Sequence, residues 1–219
     1  MLKKVLIGAA VVAPVGYYYY TTNIAPQATS KALKLIEGRL PSRNYVYIQH
    51  IGSYGKVDDT FNIVSGDLKD FSRKLTNAQF ASMFYDNPTA LPETANLRGV
   101  VGVLFDKSNK AAAQEWVKTH PEYDFKELPD LTTISAKAPA TLGLKASTWV
   151  STTLFPLVKD YFKNKNLKGL EQAPLIELYE LHNDKVKCIE FHIPYGSNVE
   201  STWLTKAPEY HPHQSEKKK

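Results

Sequence analysis

One cysteine stands in this chain of 219 residues, Cys188, so no intramolecular disulfide can form and no cysteine-based structural zinc site can be built. Cys188 falls inside a strand-like run, where a thiol behaves as a small buried hydrophobe rather than as a nucleophile. Usable glycosylation acceptors are missing too. The only Asn-x-Ser/Thr match is Asn87-Pro88-Thr89, and its central proline blocks it. Both absences suit the cytosolic side of a membrane. The sequence also lacks a phosphate-binding glycine loop, a metal-ligand cluster and a nucleophile–base–orienter set. The formal net charge is +5, yet the positive residues are scattered apart from Lys217–Lys219 and the Lys163/Lys165/Lys168 run. Without a basic stripe and a reading element, nucleic acid is not an expected partner. No cofactor and no metal are expected either, since His211 and His213 on a terminal tail make a poor metal site.

What the chain does have, at its start, is an uncharged stretch from Val5 to Thr22 behind Lys3 and Lys4. A helix of about eighteen residues spans most of a ~30 Å hydrocarbon core. Tyr17 to Tyr20 suit the headgroup level, where an aromatic ring stays apolar and its hydroxyl stays wet. A transmembrane anchor over 1–22 is therefore expected, with the membrane as partner through residues 5–22. A cleaved signal peptide is the alternative, although the tyrosines stand where small cleavage-site residues belong. Charge does not orient the segment: Lys3 and Lys4 lie on one side, and Lys31, Lys34, Arg39 and Arg43 on the other.

Residues 23–42 read as a linker passing into a short juxtamembrane helix, with Thr29-Ser30 ahead of Lys31 to Glu37. A domain over 43–195 follows, then a basic mobile tail over 196–219. Tyr45 to Ile51 alternates as a strand, and Lys56 to Leu75 repeats apolar residues at helical spacing (Val57, Phe61, Val64, Leu68, Phe71). Phe80–Tyr85 and Leu97–Phe105 read as strands. A short helix (Ala111–Lys118) and a connector lead to a strand at Leu131–Ala138, a helix at Ser147–Asn164 bent at Pro156, and strands at Leu175–Leu181 and Val186–Ile193. The fold class is α+β, a β-α-β-β unit repeated after roughly ninety residues.

Met83-Phe-Tyr-Asp-Asn-Pro88, Leu97-Arg-Gly-Val-Val-Gly-Val103, Leu175-Ile-Glu-Leu-Tyr179 and Ile189-Glu-Phe-His-Ile-Pro194 carry a family resemblance. They resemble the GyrI-like effector-binding domains, including those of membrane-anchored, testis-expressed ER-phagy receptors of animals. The resemblance implies a pseudo-twofold antiparallel sheet with its helices on one face and a concave ligand-binding face opposite. It also implies an anchor in the endoplasmic reticulum membrane, a cytosolic domain and an adaptor role with protein partners. The aromatic-x-x-aliphatic motif that would bind autophagy modifiers is not recognisable in the tail: Tyr195-Gly-Ser-Asn198 and Trp203-Leu-Thr-Lys206 lack the aliphatic residue. Tyr45 to Ile48 and Phe61 to Val64 fit that pattern but fall in a strand and a helix.

Strand alternation extends the reading to a site. If Ile176 and Leu178 pack under the helices, Leu175, Glu177 and Tyr179 face away from them. Ile189, Phe191 and Ile193 then point inward, leaving Cys188, Glu190 and His192 on the open face, joined by Tyr45, Tyr47, Gln49, Thr133, Ser135 and Lys137. Carboxylates among aromatic rings suit a cationic or planar amphiphilic ligand. The expected ligand-binding residues are Glu177, Glu190, Tyr179, Tyr47, Tyr45 and His192, with Glu177 or Glu190 as the central acid that the resemblance implies. His50 falls in the helix-facing set as a core histidine. Two functions are open: a non-enzymatic binding protein, and a hydrolase using a pocket glutamate as general base.

Overall fold

The computed structural model describes residues 33–53, 56–86, 97–139, 153–170, 173–182 and 185–196. The expected anchor, half of the linker and nearly all of the tail lie outside these residues, as does Trp149. Among the described residues no helix is long and apolar enough to cross a membrane.

Among the described residues, eight strands form one antiparallel sheet: β1 (Ile36–Leu40), β2 (Arg43–Ile51), β3 (Gln79–Phe84), β4 (Arg98–Phe105), β5 (Asp124–Leu128), β6 (Leu131–Pro139), β7 (Leu175–His182) and β8 (Lys185–Pro194). Their spatial order is β1-β6-β8-β7-β3-β4-β2-β5. The helices are α1 (Val57–Asp67), α2 (Lys69–Ser72), α3 (Lys110–Thr119) and α4 (Phe155–Lys165). The expected strands are present with small shifts at their ends; the expected helix over 56–75 is divided into α1 and α2, and the first part of the helix expected over 147–164 lies outside the described residues. Two elements correct the sequence reading. Ile36–Leu40 is a strand where a short helix is expected, and Asp124–Leu128 is a strand where a connector is expected. Neither alternates cleanly: one carries a central glycine, and the other reads Asp-Phe-Lys-Glu-Leu. Both lie at the sheet edges, where charge and brevity discourage pairing with other chains.

These two strands also change the repeat. β1 and β5 start at residues 36 and 124, and β2 and β6 at 43 and 131, an offset of 88 in both cases. Each repeat is therefore β-β-α-β-β, and the opening strands are exchanged: β1 pairs with β6 and β5 with β2.

The hydrogen-bond register locates the pseudo-twofold axis. In the central pair, β3 and β7, Ser82 opposes Glu177, Phe80 opposes Tyr179, and Phe84 opposes Leu175. An axis through Ser82 and Glu177 exchanges Phe80 with Leu175 and Phe84 with Tyr179. Outer strands obey the same axis. Val101 opposes Ser82 as Phe191 opposes Glu177. Gly102 opposes Tyr47 as His192 opposes Ser135. Lys126 opposes Tyr45 as Gly38 opposes Thr133.

One sheet face carries the helices. Val64 on α1 and Leu68 just after its end are fully buried over Val46, Val101 and Val103, with Phe61 against the same cluster. Leu154, Val158 and Phe162, each one turn further along the α4 region, pack on Ile134, Ala136, Phe191 and Ile193. Pro156 sits in the first turn of α4, directly after a π-helical turn at 153–154, so the helical geometry changes next to the proline. Asn166 ends the helix in the left-handed conformation (φ 53°), and the N–H of Leu167 reaches back 2.9 Å to the Phe162 carbonyl.

The opposite face is not an open surface. Tyr45, Tyr47, Met83, Val100, Leu104, Leu131, Ile176 and Leu178 form a buried cluster there, with Leu40 and Leu128 closing it from the two edge strands. A ligand-binding face opposite the helices, as the family resemblance implies, would have to displace a packed core.

Candidate functional site

β7 is apolar on both parities, with Leu175, Ile176 and Leu178 in succession, so alternation alone cannot say which set faces the helices. Pairing with β3 decides it. Leu175 joins the cluster under α4, while Ile176 and Leu178 join the cluster on the other face. Glu177 and Tyr179 therefore face the helices, the reverse of the sequence reading.

Glu177 lies at the centre of a row that crosses the sheet as Ile48, Val101, Ser82, Glu177, Phe191 and Ala136. It is the only ionisable residue in that row and is 7 % exposed. Its Oε2 lies 2.8 Å from the Tyr179 hydroxyl, which lies 3.0 Å from Ser82 Oγ. One phenolic proton cannot serve both neighbours. The carboxylate is the stronger acceptor, so Tyr179 donates to Glu177 and the Ser82 hydroxyl donates to Tyr179. Tyr179 is braced edge-on by the Phe61 ring of α1, 4.9 Å between centroids.

Among the described residues, Tyr179 is the only hydrogen-bonding partner of Glu177, and no Lys, Arg or His is paired with it. Burial pushes its carboxyl up to about 7, the Tyr179 hydrogen bond opposes that rise, and the negative field of Asp58 on the first turn of α1 adds to it. Burial and the Glu177 charge raise the Tyr179 phenol well above its ordinary range. The result is a buried acid of raised pKa among aromatic rings, a combination that makes Glu177 a candidate functional group.

The other expected ligand-binding residues do not join this group. Tyr45, Tyr47, Glu190 and His192 face away from the helices, as expected, but onto the packed side of the sheet. Tyr45 is fully buried, stacks on Tyr47 at 5.0 Å and donates to the Ala81 carbonyl at 3.0 Å. Glu190 pairs with Lys137 Nζ at 3.0 Å, and its other oxygen lies 3.2 Å from His192 Nε2 without hydrogen-bond geometry. The His192 Nδ1 is 3.1 Å from Thr133 Oγ1. Burial holds the His192 ring below its ordinary pKa against the pull of Glu190, which keeps it neutral near pH 7. Cys188 donates to the Ala138 carbonyl at 3.3 Å, and burial raises its thiol pKa, away from the thiolate a nucleophile requires.

His50 is the buried core histidine the sequence implies. Its Nδ1 contacts Thr60 Oγ1 at 2.8 Å, its Nε2 contacts the Ser53 carbonyl at 3.2 Å, and burial lowers its pKa. Sequence reasoning passed over Ser82, Phe61 and Asp58, which complete the Glu177 environment. Ser82 is a fully buried hydroxyl in the apolar run from Phe80 to Phe84, and that anomaly is the signal that marks it.

No protein-family model matches the sequence, and no curated relative matches it. Solved structures do match. SAV2435 bound to tetraphenylphosphonium is 12% identical with a TM-score of 0.50, over 77% of this chain and 97% of that one. EcmrR in a complex with DNA is 10% identical with a TM-score of 0.51, over 88% and 67%. The EcmrR C-terminal domain is 10% identical with a TM-score of 0.50, over 75% and 98%. At these identities the likeness is one of architecture. The fold of this chain is GyrI-like.

Proposed function

We propose that this chain is a non-enzymatic binding protein that takes a lipophilic organic cation against Glu177. One observation carries the reading: a carboxyl 7 % exposed, with no cationic partner among the described residues, at the junction of the two repeats. Burying an unpaired carboxylate is costly, and an entering cation supplies the missing partner. The rings of Tyr179 and Phe61 favour a soft, delocalised charge over a strongly hydrated one. Tetraphenylphosphonium, the ligand of SAV2435, has this chemistry.

Titrating the full-length chain with tetraphenylphosphonium at pH 8 tests the proposal. Glu177→Gln should weaken binding by about thirtyfold or more, the scale set by losing one partner of a buried charge pair. Equal binding by the variant would overturn the reading. A hydrolytic second reading rests on the same carboxyl, because an acid titrating near 7 is also suited to general-base work. It needs a turnover that Glu177→Gln abolishes.

We further propose that the uncharged stretch over 5–22 anchors the chain in a membrane; that this is the endoplasmic reticulum membrane, with the domain in the cytosol, is what the resemblance to the ER-phagy receptors implies. Carbonate-washed membranes should retain the full-length protein, and its release intact would remove the anchor.

A further inference from the structure

We infer that the Glu177 site is a proton–cation exchanger: the free site holds Glu177 as the neutral acid, and the cation is taken up as that proton leaves to solvent. The inference rests on the cation-binding reading and adds its coupling. The atoms and charges balance: a carboxylic acid and a free cation become a carboxylate–cation pair and one released proton.

The surroundings of Glu177 supply the grounds. From β3 it faces Ser82, a hydroxyl that bonds to Tyr179. From β8 it faces Phe191, which carries no charge. On β7 its neighbour is Tyr179, whose raised phenol pKa keeps it neutral across the physiological range. On β2, His50 is held between Thr60 and the Ser53 carbonyl, and its lowered pKa keeps it neutral as well. The buried residues of α4 are Val158 and Phe162, both apolar. Among the described residues, the charge that reaches Glu177 is Asp58 of α1, and it is negative.

Among the described residues, nothing around the carboxyl favours its ionised form except the single Tyr179 hydrogen bond. Burial and Asp58 act against ionisation, and the acid reaches about 7 rather than its ordinary 4.5. A cation in contact reverses that balance, because an opposite charge within a few ångströms favours the carboxylate. Asp58 has a double effect: its field makes the proton harder to lose and attracts the cation that displaces it.

Calorimetric titration of the full-length chain with tetraphenylphosphonium, in buffers of differing ionisation enthalpy, measures the exchange directly. About one proton should be released per cation at pH 5.5, falling toward zero by pH 9. Affinity should rise about tenfold per pH unit below 6 and level off above 8. Difference infrared spectra at pH 6 should show a protonated-carboxyl band lost on cation addition, and Glu177→Gln should lack that band. Binding with no proton release and a flat affinity between pH 5.5 and 8 would overturn the exchange while leaving the cation site standing. No binding at any pH would overturn both.

Discussion

The two repeats share a frame and differ in where they place polar residues. At the axis, the first repeat contributes Ser82 and the second Glu177 at equivalent positions, while Phe84 of the first is matched by Tyr179 of the second. Away from the helices the contrast continues. The first repeat has Tyr47 opposite Gly102 and Gln49 opposite Val100. The second has Ser135 opposite His192 and Lys137 opposite Glu190. The duplicated backbone thus builds the scaffold twice, and substitution in one copy supplies the chemistry once. A buried carboxyl in both copies would put two like charges face to face across β3 and β7, a costly arrangement. The Ser/Glu asymmetry gives the axis one acid and one donor instead.

The largest effect should come from making the first repeat resemble the second at Gly102. A Cβ there would overlap the Val46 carbonyl oxygen and lie 2.7 Å from Tyr47 Cα, both rigid backbone atoms of the paired strand. His192 carries a full side chain at the equivalent position, so the constraint belongs to the first repeat alone. Gly102→Ala should destabilise the protein by about 3 kcal/mol, at the upper end of overpacking costs. A denaturant midpoint close to wild type would show that the repeats are more interchangeable than their register implies.

Next comes the acid itself. The unfolded chain loses the Glu177 proton near the ordinary value of 4.5 and the folded chain near 7. Between those values the folded state binds more protons, so stability falls as pH rises through that window. The loss is complete above 7 and on the order of 3 kcal/mol. Glu177→Gln should raise the urea midpoint at pH 8 and leave it nearly unchanged at pH 4. A variant that loses stability equally at both pH values would mark Glu177 as a packing residue.

Much of the frame was legible because its signals are local. The spacing of Val57, Phe61, Val64 and Leu68 marks α1, and the alternation of β2 marks its two faces correctly. The site was legible in composition but not in placement. Glu177 and Tyr179 stand out as polar residues in an apolar strand, yet only the register with β3 shows that they face α1. Glu190 looked equivalent from the sequence, and its pairing with Lys137 depends on β6 lying beside β8. β1 and β5 escaped because an edge strand needs little apolar pattern when its pairing comes from a distant segment.

A smaller effect sharpens the axis. Tyr179 occupies the position that Phe84 holds in the first repeat, so Tyr179→Phe restores the symmetry by removing one hydroxyl. The ring should keep its contact with Phe61 while the carboxylate loses its donor, a cost of about 1–2 kcal/mol at pH 8. Because that hydrogen bond holds the acid down, the variant should shift the stability transition to higher pH. An unmoved transition would mean that the hydroxyl does not support the ionised form.

The smallest expected effect separates the two acids of the second repeat. Glu190 shares the strand pair with Glu177 but lies on the other side of the sheet, and its neighbours already balance it: Lys137 is 62 % exposed and His192 is buried and neutral. An exposed cation paired with a partly exposed carboxylate contributes little, typically under about 1 kcal/mol. Glu190→Gln keeps the shape and a contact to Lys137, so stability should change by roughly 0.5 kcal/mol and tetraphenylphosphonium affinity should not change. Glu190 is the more exposed of the two acids, but Lys137 already neutralises it, so an entering cation finds no missing partner there. A loss of cation affinity in Glu190→Gln as large as in Glu177→Gln would place the ligand on the wrong side of the sheet for every contact proposed above.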